Sequence, residues 1–72
     1  MKFDDIIEKI RNDLEMYADD PVNSYSEACD RVEMALDTLY KGLKHDTTSS
    51  TMRVNLINIA TQALRAMQDL GL

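Results

Sequence analysis

Two sets of residues have the types and spacing to do chemistry. Asn55, Asn58, Gln62, Arg65 and Asp69 recur at steps of three, four, three and four, which puts them along one face of a helix. Surface stripes are normally built from Lys and Glu, whereas Asn is a poor helix former. Neutral amides suit a partly dry setting, where they offer donors and acceptors without the cost of burying a charge. The chemistry would be recognition, with amides reading the edge of a base or similar ring and Arg65 or Arg53 meeting a phosphate. The plainer uses of such a stripe are a polar seam that fixes the register of two subunits, or a solvated face. The second set is acidic. Glu27, Asp30 and Glu33 step by three, as do Asp5 and Glu8. Carboxylates at i and i+3 share a helix face and can hold Mg²⁺ through oxygen ligands, although ordinary solvated helices carry such pairs too.

Other reactive residues are few. Cys29 is the only cysteine and His45 the only histidine, so neither an intramolecular disulfide nor a structural zinc site can be assembled. Cys29 lies among apolar neighbours, which predicts a buried, inert thiol. His45, with Asp46 beside it, reads as a cation at a helix end. Gly42 and Gly71 are the only glycines, so there is no glycine-rich phosphate loop.

Three amphipathic segments must position these residues. The first, over about residues 3–18, aligns Phe3, Ile6, Ile7, Ile10, Leu14 and Tyr17 on one face, with Asp4, Asp5 and Glu8 near its positive end. Asp19-Asp20-Pro21 stops it. The second, over about 25–44, opens with Ser24 and Glu27 in capping-box spacing and keeps period through Tyr25, Ala28, Cys29, Val32, Ala35, Leu36, Leu39 and Leu43. Lys41, Lys44 and His45 gather at its end, and Gly42 reads as fraying in the last turn. A polar linker, His45–Ser50, supplies Thr48, Ser49 or Ser50 as cap for the third segment, over about 51–70. There Met52, Leu56, Ala60, Ala63, Met67 and Leu70 form one apolar stripe. Val54, Ile57, Ile59, Leu64 and Ala66 lie outside it, so this helix calls for neighbours on more than one side.

Composition narrows the class. At 72 residues without a disulfide, a single small core is marginal, which leaves oligomerisation as the remedy. The net charge of −5 is concentrated in the first half, and residues 47–72 hold Asp69 against Arg53 and Arg65. Clustered Lys and Arg are missing, which argues against binding a nucleic-acid backbone. An acidic start, the lack of a long apolar run and a lone thiol together predict a cytoplasmic protein that does not enter a membrane.

The strings Asn55-Leu56-Ile57-Asn58-Ile59-Ala60, Ala63-Leu64-Arg65-Ala66-Met67 and Leu70-Gly71 resemble the last core helix of the all-α nucleoside triphosphate pyrophosphohydrolases, the MazG-like superfamily. That family carries ExxE on one helix and ExxD on another, which bind Mg²⁺ and the triphosphate. Here the first motif would fall on Glu27 and Asp30, an ExxD, and the second on Asn55 and Asn58, both amides. An amide oxygen is a weaker ligand for a hard dication, so the resemblance implies a relative that binds rather than cleaves. In size, helical layout and the Ser/Thr-rich turn before the last helix, the chain is also similar to small phage-encoded helical-hairpin sponges, which oligomerise and sequester cyclic nucleotides. That likeness assigns no residues.

The resulting expectation is an all-α, three-helix chain with two shorter helices and a long apolar C-terminal helix, completed as a bundle by homo-oligomerisation. Its expected function is that of a small cytoplasmic binding protein, phage- or mobile-element-like, which needs no cofactor. It would sequester a nucleotide-type ligand through Asn55, Asn58, Gln62 and Arg65, or mask a protein partner. The alternatives are a Mg²⁺-dependent MazG-like nucleotide pyrophosphohydrolase using Glu27, Asp30 and Glu33, and a purely structural oligomerisation module.

Overall fold

A computed structural model describes residues 2–45 and 47–72; Met1 and Asp46, the latter within the expected linker, lie outside the described residues. The described chain is all-helical: α1 (Phe3–Met16), α2 (Tyr25–Leu43) and α3 (Ser49–Leu70). Each boundary has a local cause. In α1, Asp4 and Asp5 sit in the first turn, where their charge favours the positive pole of the helix dipole. The helix closes at Met16, two residues short of the expected end, because Tyr17 leaves the helical region and Ala18 N–H turns back to Glu15 O. α2 starts at Ser24, whose hydroxyl accepts from Glu27 N–H at 3.1 Å. The Glu27 carboxylate returns the bond one residue early, accepting from Asn23 N–H at 3.0 Å rather than from Ser24.

For α3 the cap is Thr48, whose hydroxyl accepts from Thr51 N–H at 3.1 Å, so the helix begins two residues earlier than expected. It ends at Gly71, which adopts φ +71°, a left-handed value that glycine tolerates best, while Leu72 N–H reaches back to Met67 O at 2.9 Å. Gly42 belongs to the last turn of α2 instead of marking fraying, and a Cβ there would meet Asn55 Nδ2 at an ordinary 3.5 Å.

α3 is the spine. α1 and α2 both pack on it, and among the described residues they do not pack on each other. α2 runs antiparallel to α3, with Gly42 beside Asn55 at one end and Ala28 near Ala66 at the other. α1 runs alongside α3 in the same sense, placing Lys9 and Asp13 by Arg53 and Val54, and Leu14 and Tyr17 by Arg65 and Gln68. The buried apolar core is Ile10, Val22, Ala35, Ile57 and Ala66, one or two residues from each element and one from the α1–α2 loop.

α3 is the longest helix, but its orientation corrects the expectation. The expected apolar stripe is only partly covered, with Leu56 51% and Met67 43% exposed and Met52, Ala60, Ala63 and Leu70 half-buried. Leu64 and Val54 are exposed as well. The residues α3 buries most deeply are Asn55, Ile57, Thr61, Gln62, Arg65 and Ala66. Four of those six are polar.

Candidate functional site

The polar interior follows from the α1–α2 loop. After Pro21 the chain crosses the C-terminal half of α3 and plugs Val22 into the core at 1% exposure. That burial takes backbone groups out of water, and they need partners. α3 supplies them from one face. Asp69 Oδ2 accepts from Val22 N–H at 2.8 Å. The Arg65 guanidinium donates to the Asp20 backbone oxygen and, at 3.2 Å, to the Asp20 carboxylate. Its other terminal nitrogen donates to Gln62 Oε1 at 3.1 Å, and its face lies 4.2 Å from the centre of the Tyr17 ring. Gln62 Nε2 in turn donates to Asn58 Oδ1 at 3.3 Å.

Arginine suits this position because its flat, multidentate head can bridge a carbonyl, a carboxylate and an amide while stacking on an aromatic ring. Arg65 is only 3% exposed, and its Nε lies 4.0 Å from Asp69 with no hydrogen bond. Thr61, 1% exposed, satisfies its hydroxyl by donating to Ile57 O at 2.8 Å, within the helix.

Three of the four expected ligand residues come together. Asn58, Gln62 and Arg65 line a cleft of about 240 Å³ with Tyr17, Asp20 and Arg31, between α2 and the end of α1. Asn55 lies further along the same face, and with Asn58 it borders a second cleft of about 390 Å³ beside Lys9, Asp13 and Arg53. The expected amide stripe is therefore a seam inside one chain, in which Asn58, Gln62 and Arg65 are bonded in a row.

The acidic set stays dispersed. Glu27 is committed to capping α2 and lies 3.9 Å from Arg31, whose buried Nε has no hydrogen-bond partner. Asp30 and Glu33 are exposed on α2 beside Met34 and Tyr40. Among the described residues no three His, Cys, Asp or Glu side chains group as a metal site. Elsewhere on α2, Asp37 bonds Lys41 at 2.9 Å and, first through that hydrogen bond and then through charge, raises its pKa above the ordinary 10.5.

Cys29 is exposed, correcting the expectation of a buried thiol. The apolar stripe of α2 is wider than the arc it turns to α3, and Cys29 falls on the surplus. With Ala28, Val32, Leu36, Ala63 and Ala66 it lines an apolar groove of about 490 Å³ between α2 and α3. His45 is exposed just beyond the C-terminal end of α2.

Sequence reasoning passed over Asp20, Val22 and Arg31. A lone Val after Pro21, flanked by polar residues, was the available signal that the loop is anchored; nothing in the spacing of Arg31 points to the cleft. Among the described residues no helix is long and apolar enough to cross a membrane. No family model matches the chain, and none of the curated proteins or solved structures compared with it is significantly similar.

Proposed function

We propose that this chain is a self-associating helical binding protein whose working surface is the apolar side turned away from the polar seam. The observation that carries this is area. The chain exposes 5336 Å², whereas a compact monomer of its 8.2 kDa exposes about 4,500 Å². The surplus, about 800 Å², is what one partner contributes to a standard-size protein interface. Its radius of gyration, 12.7 Å, likewise exceeds the roughly 11 Å of a compact domain of this length.

Of the two kinds of partner expected from the sequence, a protein fits this surface better than a nucleotide, and a second copy of the chain fits first. Two of the amides that would read a base, Asn58 and Gln62, are already bonded along the seam, and Arg65 is engaged on several sides. A Mg²⁺-dependent pyrophosphohydrolase would need Glu27, Asp30 and Glu33 to converge, and the capping role of Glu27 works against it. The exposed free thiol of Cys29 supports placement in a reducing cytoplasm.

Thermal unfolding followed by circular dichroism over about a hundredfold range of protein concentration tests the reading. Association of folded chains makes the midpoint rise with concentration. A midpoint independent of concentration contradicts it.

A further inference from the structure

Resting on the self-association just proposed, the geometry points to one particular interface: the α2–α3 face of one copy packs on the α2–α3 face of a second, leaving α1 outside. Met34 and Val54 are exposed on other sides of α2 and α3, but most of the exposed apolar residues of these two helices share one face. Tyr25, Cys29, Leu36, Tyr40 and Leu43 recur along the free side of α2 at steps of four, seven, four and three, the spacing of one helix face. Tyr25, Tyr40 and Leu43 are each more than half exposed, and Leu36 is 39% exposed. Leu56, Leu64 and Met67 do the same on the free side of α3.

Between the two stripes runs the groove floored by Ala28, Ala63 and Ala66, small residues that leave room for a side chain from outside. Glu33 at its edge is the one charged residue in its lining. Asp30, Glu33 and Asp37 border Leu36 and Tyr40 on the far flank of α2, so the dry contact is confined to the groove and the two stripes, where a second copy brings matching apolar residues. In a two-fold assembly the same patch serves both sides, so one self-complementary surface suffices. The exposed apolar residues of α1 make no comparable face: Phe3 and Met16 stand near opposite ends of the helix, each over 70% exposed, on different sides.

The test compares Leu36→Glu and Met67→Glu with Met16→Glu in the full chain, by sedimentation equilibrium. Leu36 and Met67 are exposed in the single chain, so circular dichroism should show its helices retained. Placing an unpaired carboxylate in a dry interface should weaken self-association by about a hundredfold or more in both variants, while Met16→Glu associates like the parent. Cys29 supplies a second readout in the unmodified protein. Its labelling by a bulky maleimide should slow about tenfold or more once the concentration exceeds that of half-association, because the groove becomes covered. A parent dimer indifferent to both glutamates, or one dissociated by Met16→Glu, overturns the assigned face and leaves self-association standing; so does a Cys29 labelling rate that ignores dimer formation. A parent chain that is monomeric throughout overturns both.

Discussion

Inward, α3 presents Asn55, Thr61, Gln62 and Arg65 to α1, α2 and the loop between them; outward, it presents Leu56, Leu64 and Met67. Ile57 and Ala66 turn inward with them, so the buried side is mixed, and Thr61, Gln62 and Arg65 join it by completing hydrogen bonds. The loop at 17–24 must cross α3, and once Val22 is buried, its N–H and the Asp20 carbonyl need donors and acceptors that only the polar face supplies. Among the described residues α1 and α2 do not pack on each other, and Arg65 and Gln62 line the cleft between α2 and the end of α1. The apolar face is then left for another molecule.

The contrast breaks first at Arg65. Arg65→Ala strips partners from Asp20, Gln62 and Tyr17 and should cost about 3 kcal/mol, the scale of one or two hydrogen bonds to a charged group. Leu64→Ala, one residue along but outward, should change stability of the dilute single chain by no more than about 0.5 kcal/mol. Urea unfolding at low concentration reads both, and equal costs would end the distinction between the faces. Asp69 comes next. Asp69→Ala orphans the Val22 N–H and should cost about 1–3 kcal/mol, while Asp69→Asn keeps an oxygen acceptor and should recover most of it.

The glycines set a smaller scale against which those losses can be judged. Gly71 sits at φ +71°, so Gly71→Ala should cost about 1 kcal/mol. Gly42 is helical with room for a methyl group, so Gly42→Ala should instead stabilise by about 0.5–1 kcal/mol. The smallest effect lies at the surface. Lys41 has a raised pKa, so the pair with Asp37 contributes below 10.5 and is lost as pH rises through the higher folded value. The pair's contribution should therefore be constant with pH near neutrality and decline only above 10.5, and Asp37→Asn should bring the Lys41 titration, followed by NMR, back toward 10.5.

The three helices were legible because their signals are local. Ser24, Thr48 and Gly71 act on backbone groups within a few residues, and the heptad-like spacing of Ile6, Ile10, Leu14 and Tyr17 needs no partner to be read. The amide stripe was also legible as a face, and its partly dry setting was deducible from its chemistry. Which way that face turns was not. Both sides of α3 carry enough apolar residues to pass for a core, and the groups that decide between them, Asp20 and Val22, stand 45 and 47 positions from Arg65 and Asp69. Cys29 was misplaced for a related reason, since helical period shows that it shares a face with Val32 and Leu36 but not how far that face extends beyond α3.

Sedimentation equilibrium of the parent chain reads self-association directly, as mass against concentration. Self-association moves the mass from 8.2 kDa toward twice that value as concentration rises. A mass of 8.2 kDa across the whole range would contradict it, and the outward apolar face of α3 would then have no partner of its own kind.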